Sequence, residues 1–251
     1  MTLCTAFIAD IHLNENNHLV NAAFENYIKN TAPMLDSLYI LGDLFDYWIG
    51  DDHTTEFNQH IINLLKQLTK TTKLYFMHGN RDFLIGEKFI KQVNAQLLGP
   101  IKTTEIYNKK IALTHGDLLC TNDYWYQIMR KIVHNNAIQK TFLCLPLNIR
   151  KKIAQKARDG SKKSTSKKSI NNFATNHQPI KNIINKNKTQ ILIHGHVHRT
   201  EVNYENSKDN YITIVIPDWT QNTGKHLLLR SNGEMSLETI YNRPNPHIFT
   251  T

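Results

Sequence analysis

Five short runs of β-branched and aromatic residues, each closing on polar, metal-seeking side chains, limit what this chain can fold into more than any other feature. They are TAFIAD (5–10), SLYILGD (37–43), KLYFMHGN (73–80), KIALTHGD (110–117) and QILIHGH (190–196). Runs of this length and composition read as buried strands. Between them lie helical patterns, as in Phe57, Ile61, Leu64, Leu65 and Leu68, whose i, i+4, i+7 and i+8 spacing makes one apolar face. This alternation points to an α/β fold. Near the end, YITIVIPD (211–218), KHLLLRS (225–231) and MSLETIY (235–241) follow one another with only turns between. That favours a mixed sheet or a β-sandwich over a single doubly wound sheet.

Residues 123–187 break the rhythm, because they hold helical segments and no convincing strand. We expect a core of residues 1–122 and 188–251 carrying an inserted, mostly helical cap at 123–187. Pro146 and Gly160 punctuate the insertion, and SKKSTSKK (161–168) reads as a flexible loop until a ligand orders it. Charge concentrates in the same place. The chain carries 30 Lys+Arg against 21 Asp+Glu, a net +9, and residues 150–168 alone hold nine cations and one Asp. Such a segment is a local anion-binding feature, whereas a duplex-DNA binder spreads its charge along a face, so no nucleic-acid partner is expected. Just before it lies TFLCLPLNI (141–149), and an apolar stretch running into Lys and Arg is the pattern of binding at an anionic membrane surface. Tyr47, Trp48, Tyr124 and Trp125 are expected in the core, with an acyl or base pocket as the alternative.

Other classes are poorly supported. With 40% hydrophobic and 20% charged residues the chain can bury a sizeable core. The opening MTLCTAFIAD does not read as a signal peptide, and no apolar run approaches the roughly 18–20 residues that span a bilayer. Cys4, Cys120 and Cys144 lack CxxC spacing, which argues against a disulfide framework or a thiolate zinc site and suits a reducing cytoplasm. Neither a G-x-S-x-G elbow nor a phosphate-binding P-loop motif occurs.

What remains is the set at the strand ends: Asp10, His12, Asp43, Asn80, His115, His196 and His198. Open α/β sheets bind ligands at the carboxyl ends of their strands, so these distant residues can surround one crevice. Carboxylate, imidazole and carboxamide donors without thiolate suit Mn, Fe or Zn. Glycines at 42, 79, 116 and 195 let the backbone turn tightly beside each donor. His78 and His194 alternate with the donor positions and are expected behind them. Two metals sharing such a site can acidify a water and aim it at phosphorus, so metal-assisted hydrolysis is the leading class. Open alternatives are a phosphodiesterase or nuclease, and a basic binding module with a structural metal.

In order, D-x-H (10–12), G-D (42–43), G-N (79–80), H-G (115–116) and G-H-V-H (195–198) resemble the calcineurin-like metallophosphoesterases. The resemblance implies a β-sandwich flanked by helices and two divalent metals, most commonly Mn. Asp10, His12, Asp43 and His198 would hold one metal, and Asp43, Asn80, His115 and His196 the other, with Asp43 as the bridge. A narrower likeness rests on ILGDLFDYWIGDD (40–52), HGNRDFLIG (78–86), HGDLLCTNDY (115–124), NIRKKIAQKARDGSK (148–162) and IHGHVHR (193–199). These are similar to the UDP-2,3-diacylglucosamine hydrolase family, peripheral diphosphatases of lipid A synthesis at the cytoplasmic face of the bacterial inner membrane. The likeness implies Asn80, Arg81, His115 and His196 at the reacting phosphate. It further implies substrate contacts at Asn80, Arg81, Asp123, Ser161, Thr165, Lys168 and His196. Arg81 stands where most of the superfamily carries His, Thr165 where the narrower family carries Asn, and Ala174 where it carries Asp.

Overall fold

The computed structural model describes residues 3–122, 124–167, 176–197, 201–205, 210–220 and 223–241, with residues 159, 161–167, 201–205 and 241 described by backbone alone. In chain order the strands are β1 (Cys4–Ile8), β2 (Ser37–Ile40), β3 (Lys73–Met77), β4 (Gln96–Leu98), β5 (Ile101–Ile106), β6 (Lys109–Thr114), β7 (Ile191–His194), β8 (Glu201–Glu205), β9 (Tyr211–Val215), β10 (Thr223–Arg230) and β11 (Met235–Tyr241). The α-helices are α1 (His18–Asn26), α2 (Glu56–Leu68), α3 (Glu87–Gln92), α4 (Tyr124–Val133), α5 (Asn136–Leu143), α6 (Leu147–Lys167) and α7 (His177–Asn187).

Two sheets form, in the orders β11-β10-β1-β2-β3-β4 and β5-β6-β7-β9-β8. Strands β1 to β4 run parallel, as do β6, β7 and β9, while the remaining pairings are antiparallel. The two-residue period of a strand sorts the apolar residues into layers. Phe7, Tyr39, Leu41 and Met77 of the first sheet face Ile111, Leu113, Ile193 and Ile214 of the second, making the sandwich interior. Their neighbours Ala6, Ile8, Leu38, Ile40 and Phe76 point outward onto α1 and α2. The architecture is the helix-flanked sandwich expected from the sequence.

Helix α2 carries the expected apolar stripe, with Ile61, Leu64, Leu65 and Leu68 buried, and Thr55 caps it by accepting from the Asn58 N–H at 3.2 Å. Strands β4, β5 and β8 add to those anticipated. β4 has three residues and β5 is an edge in which only Ile106 is buried, so neither presents the buried run that marks a strand.

The expected insertion divides. No side chain of α4 or α5 is buried, as suits a projecting cap. Helix α7, by contrast, lays Ile180, Ile183 and Ile184 against Ala112, Leu119, Leu192 and Tyr211, covering the outer face of the second sheet. Each such burial contributes about 1.5–3 kcal/mol, so α7 is held against the sandwich. The loop expected from residue 161 is also corrected, since α6 continues through Gly160 to Lys167. A helix already nucleated over Leu147–Arg158 extends readily through Lys, whose helix propensity is high. Of the four aromatics expected inside, Trp48 is buried, while Tyr47, Tyr124 and Trp125 are exposed.

His226 sits in the first sheet, buried at 3% exposure, with its Nδ1 3.1 Å from the Tyr27 hydroxyl. Burial pushes its pKa down to about 4, with Glu238 opposing. The unfolded chain binds that proton near pH 6.5 and the folded one only near 4, so stability should fall as pH drops through this window. The loss should reach roughly 2–4 kcal/mol by its lower end. Urea midpoints from pH 7 to 4 should show that limb, and His226→Gln should flatten it. An unchanged slope in the variant would show that other groups set the acid limit.

Candidate metal centre

The carboxyl ends of β1, β2, β3, β6 and β7 meet at one end of the sandwich. After β1 and β2 the chain stays zipped: Asp10, His12 and Leu13 donate their N–H groups to the carbonyls of Gly42, Asp43 and Leu44 at 3.1, 3.0 and 2.8 Å. Asp10, His12, Asp43 and His196 all hold φ between 54° and 70°. Left-handed backbone is uncommon outside glycine and collects at functional sites, where Asp, Asn and His tolerate it best. Here it turns each donor away from its strand toward the shared crevice.

Asp43 stands at the centre. Its Oδ1 accepts the Arg81 N–H at 2.8 Å, and its Oδ2 lies 3.9 Å from His12 Nε2 and 3.8 Å from His115 Nε2. Asp10, His12 and Asp43 each offer one ligand atom, all within 4.8 Å of one another, an arrangement that could hold a metal ion. Asp10 Oδ2 accepts the His196 N–H at 2.7 Å, joining the first sheet to the loop after β7. His115 places Nδ1 2.8 Å from the Leu41 carbonyl and Nε2 3.1 Å from Asn80 Oδ1, and its ring lies 5.0 Å from that of His196. An Nδ1–H donated to Leu41 leaves Nε2 to point its lone pair into the crevice. The glycines are dictated by space. A Cβ on Gly79 would lie 2.1 Å from Asp43 Oδ1, and one on Gly195 2.3 Å from Asp10 Oδ2.

Six of the seven expected donors, Asp10, His12, Asp43, Asn80, His115 and His196, are therefore brought together. His198, Asp123 and Lys168 lie outside the described residues, and Ser161 and Thr165 are placed only as backbone of α6. Arg81 is half-buried at the rim. His78 Nε2 and His194 Nδ1 each face a main-chain carbonyl, of Ile85 at 2.7 Å and of Gly195 at 2.8 Å.

Two further carboxylates support this set. Asp82, fully buried, accepts the N–H groups of Gly79 and Leu44 at 2.8 Å and of Asp43 at 3.3 Å, so its carboxylate is given over to the backbone beneath the donors. Asp117 pairs with Arg130 of α4, whose neighbour Gln127 donates to the Asp117 and Cys120 carbonyls at 2.8 and 3.0 Å.

The electrostatics fit a cation. Burial pushes Asp43 up to about 7, with Asp82 and Asp10 adding to the rise against the opposing pull of His115. Burial raises Asp82 as well. Burial alone would lower His115, yet Asp43, Asp10 and Asp117 lift it to about 9. Crowded buried carboxylates that hold protons or attract a neighbouring imidazolium are what a divalent ion would relieve.

Binding a metal to Asp43 and His115 must displace those protons. Titration of the metal-free protein with Mn at pH 7 should release roughly one to two protons per chain, and affinity should rise from pH 6 to 9. Calorimetry in buffers of different ionisation enthalpy measures this directly. A binding enthalpy independent of buffer would rule out ligation by these two groups.

The calcineurin-like phosphoesterase family model matches residues 5–200. The UDP-2,3-diacylglucosamine hydrolase of Haemophilus influenzae (strain PittGG) is 41% identical over 229 residues, covering 91% of this chain and 95% of that protein. Those of Proteus mirabilis (strain HI4320) and Coxiella burnetii (strain RSA 493 / Nine Mile phase I) are 45% and 36% identical, covering 80% and 94% of this chain and 84% and 97% of theirs. Among solved structures, a novel archaeal phosphodiesterase aligns with a TM-score of 0.48 at 13% identity, over 94% of this chain and 99% of that one. The chain belongs to the calcineurin-like phosphoesterase family, within the group of the UDP-2,3-diacylglucosamine hydrolases.

Proposed function

We propose that this chain is a dimetal hydrolase that cleaves the diphosphate of UDP-2,3-diacylglucosamine, with Mn as its metal. Water attacks the α-phosphorus in line, the bond to the bridging oxygen breaks, and that oxygen leaves with 2,3-diacylglucosamine 1-phosphate while UMP forms. The observation that carries the reading is the juxtaposition of a phosphoester-type donor set with an apolar helical wall. Tyr126 of α4 brings its ring to 5.8 Å from His196, and the cap exposes Tyr124 (70%), Trp125 (74%), Met129, Ile138, Leu143 and Ile149. Exposed apolar area of this kind marks a binding surface, and a substrate with both a diphosphate and acyl chains needs both features.

Asp10, His12, Asp43 and His198 would hold one metal, and Asp43, Asn80, His115 and His196 the other. Bound there, the metals would supply an acidified water and neutralise charge on the phosphate. The protein supplies position. The Arg81 main chain is held at both ends, its N–H by Asp43 Oδ1 and its carbonyl by the Trp48 N–H at 3.1 Å. Its guanidinium, always cationic, can grip diphosphate oxygens bidentately as charge grows on them. A sugar phosphate leaves readily, so no general acid is required at this position. Asp123, Ser161, Thr165 and Lys168 are assigned to the substrate's remaining polar groups. We place the enzyme peripherally on the cytoplasmic face of the bacterial inner membrane, with the exposed Lys151, Lys152 and Lys156 toward anionic headgroups.

Purified protein with Mn and UDP-2,3-diacylglucosamine in detergent should release UMP, and chelation or Asp43→Ala should abolish it without unfolding the sandwich. Faster turnover of single-stranded DNA or a cyclic nucleotide would replace this reading with a nuclease or phosphodiesterase. Arg81→Lys should lose on the order of 10²-fold in kcat at an unchanged thermal midpoint, and Arg81→His should not restore it. A full-rate Arg81→Lys enzyme would remove the phosphate role. Neutralising Lys151, Lys152 and Lys156 together should weaken sedimentation with anionic liposomes by about 1 kcal/mol per charge. Undiminished sedimentation at low salt would make that helix face a merely solvated one.

A further inference from the structure

The first cation of the basic segment does not belong to its anion-facing surface. Arg150, in the first turn of α6, is buried at 2% exposure, whereas Lys151, Lys152 and Lys156 are exposed. Each of its three guanidinium nitrogens has a partner. Nε donates to the Leu145 carbonyl at 2.9 Å, across the elbow that Pro146 makes between α5 and α6. One terminal nitrogen donates to the Ile49 carbonyl at 2.6 Å and to Asp52 Oδ1 at 2.8 Å, and the other pairs with Asp52 Oδ2. The chain at Gly50 is shaped to receive it: φ is +127°, and a Cβ there would lie 2.5 Å from that terminal nitrogen and 2.8 Å from Leu143 Cδ2 of α5.

The segment Arg150 grips leads back to the reacting centre. Trp48, one residue before Ile49, donates its main-chain N–H to the Arg81 carbonyl, and Arg81 donates to Asp43 Oδ1. The same segment is tied at its other side, because Asp51 accepts the Trp48 indole N–H at 3.0 Å and the main-chain N–H groups of Gly86 and Phe89 at 2.9 and 3.0 Å. One guanidinium thus joins the cap elbow to a hydrogen-bonded loop that ends on the central carboxylate.

We propose that Arg150 is a positioning residue that sets the cap's α5–α6 elbow in register with Arg81 and Asp43. It aligns the acyl-bearing part of the substrate with the diphosphate while touching neither. The proposal rests on the lipid-substrate reading given above. A planar fork is required, because three acceptors lie in different directions and a lysine ammonium cannot meet a carboxylate bidentately while reaching two carbonyls.

The test uses the full-length Mn-loaded protein and three measurements on Arg150→Lys, with Asp52→Asn alongside. Misalignment of a bound substrate by about 1 Å costs up to 10²-fold in rate. Arg150→Lys should therefore lose roughly ten- to a hundredfold in kcat/KM on UDP-2,3-diacylglucosamine. On bis(p-nitrophenyl) phosphate, a small diester that does not need the cap, it should lose clearly less, by about fivefold or more in the ratio of the two losses. Asp52→Asn should behave like it. Equal losses on both substrates, or none on either, would overturn the proposal. Hydrogen exchange supplies a readout independent of substrate. The amides of Trp48 and Arg81 should lose protection together with those of the elbow, and loosening confined to residues 143–150 would overturn the coupling. Should the wild type cleave the small diester and not the lipid nucleotide, the functional reading fails, and the exchange result still decides whether Arg150 couples the elbow to Arg81.

Discussion

Everything at this end of the molecule depends on burying three carboxylates side by side. Asp10, Asp43 and Asp82 are all at or below 1% exposure, and an unpaired charge in such a place is prohibitively costly. Main-chain amides meet part of that demand: His196 donates to Asp10, Arg81 to Asp43, and Gly79, Asp43 and Leu44 to Asp82. Because His196 follows β7 of the second sheet, satisfying Asp10 also ties the two sheets together. Glycines at 79 and 195 follow directly, since any side chain there would occupy the space of a carboxylate oxygen. The residual negative charge is what calls for a cation, and the raised pKa values of Asp43 and His115 express the same demand.

The strand framework and the clustering of Asp10, His12 and Asp43 are legible because both have strong local signatures. Runs such as LYIL and LYFM are apolar on both faces, as befits strands lying between a helix layer and a second sheet, and each donor follows such a run directly. Edge strands β4 and β5 escaped because each buries a single residue, Leu98 and Ile106, and so shows no apolar run. Helix α7 read as part of the insertion because sequence position does not reveal which layer an amphipathic helix covers. Asp82 stood inside the HGNRD motif, but nothing in a sequence tells a carboxylate that will accept backbone amides from one that will bind a ligand. Arg150 was hidden for the opposite reason. It opens a run of nine cations in nineteen residues, and only the fold separates it, turned inward, from the exposed Lys151, Lys152 and Lys156.

That separation changes how the basic segment works. A uniformly solvated helix face would attract anions and do nothing else. With Arg150 locked onto Asp52, Arg158 paired to Asp46 and Arg130 paired to Asp117, the cap is fastened to loops that follow the metal-donor strands. The cations left exposed on the described part of α6 lie on a platform whose orientation is fixed by the same loops that carry Asp43 and His115. The cap and the metal-donor loops are thereby built on one frame.

If Asp43 bridges two metals as proposed, anomalous scattering at the manganese edge from crystals of the Mn-loaded protein should show two peaks about 3.5–4 Å apart, both within bonding distance of the Asp43 carboxylate. A single peak, or two peaks of which either leaves Asp43 untouched, would contradict it.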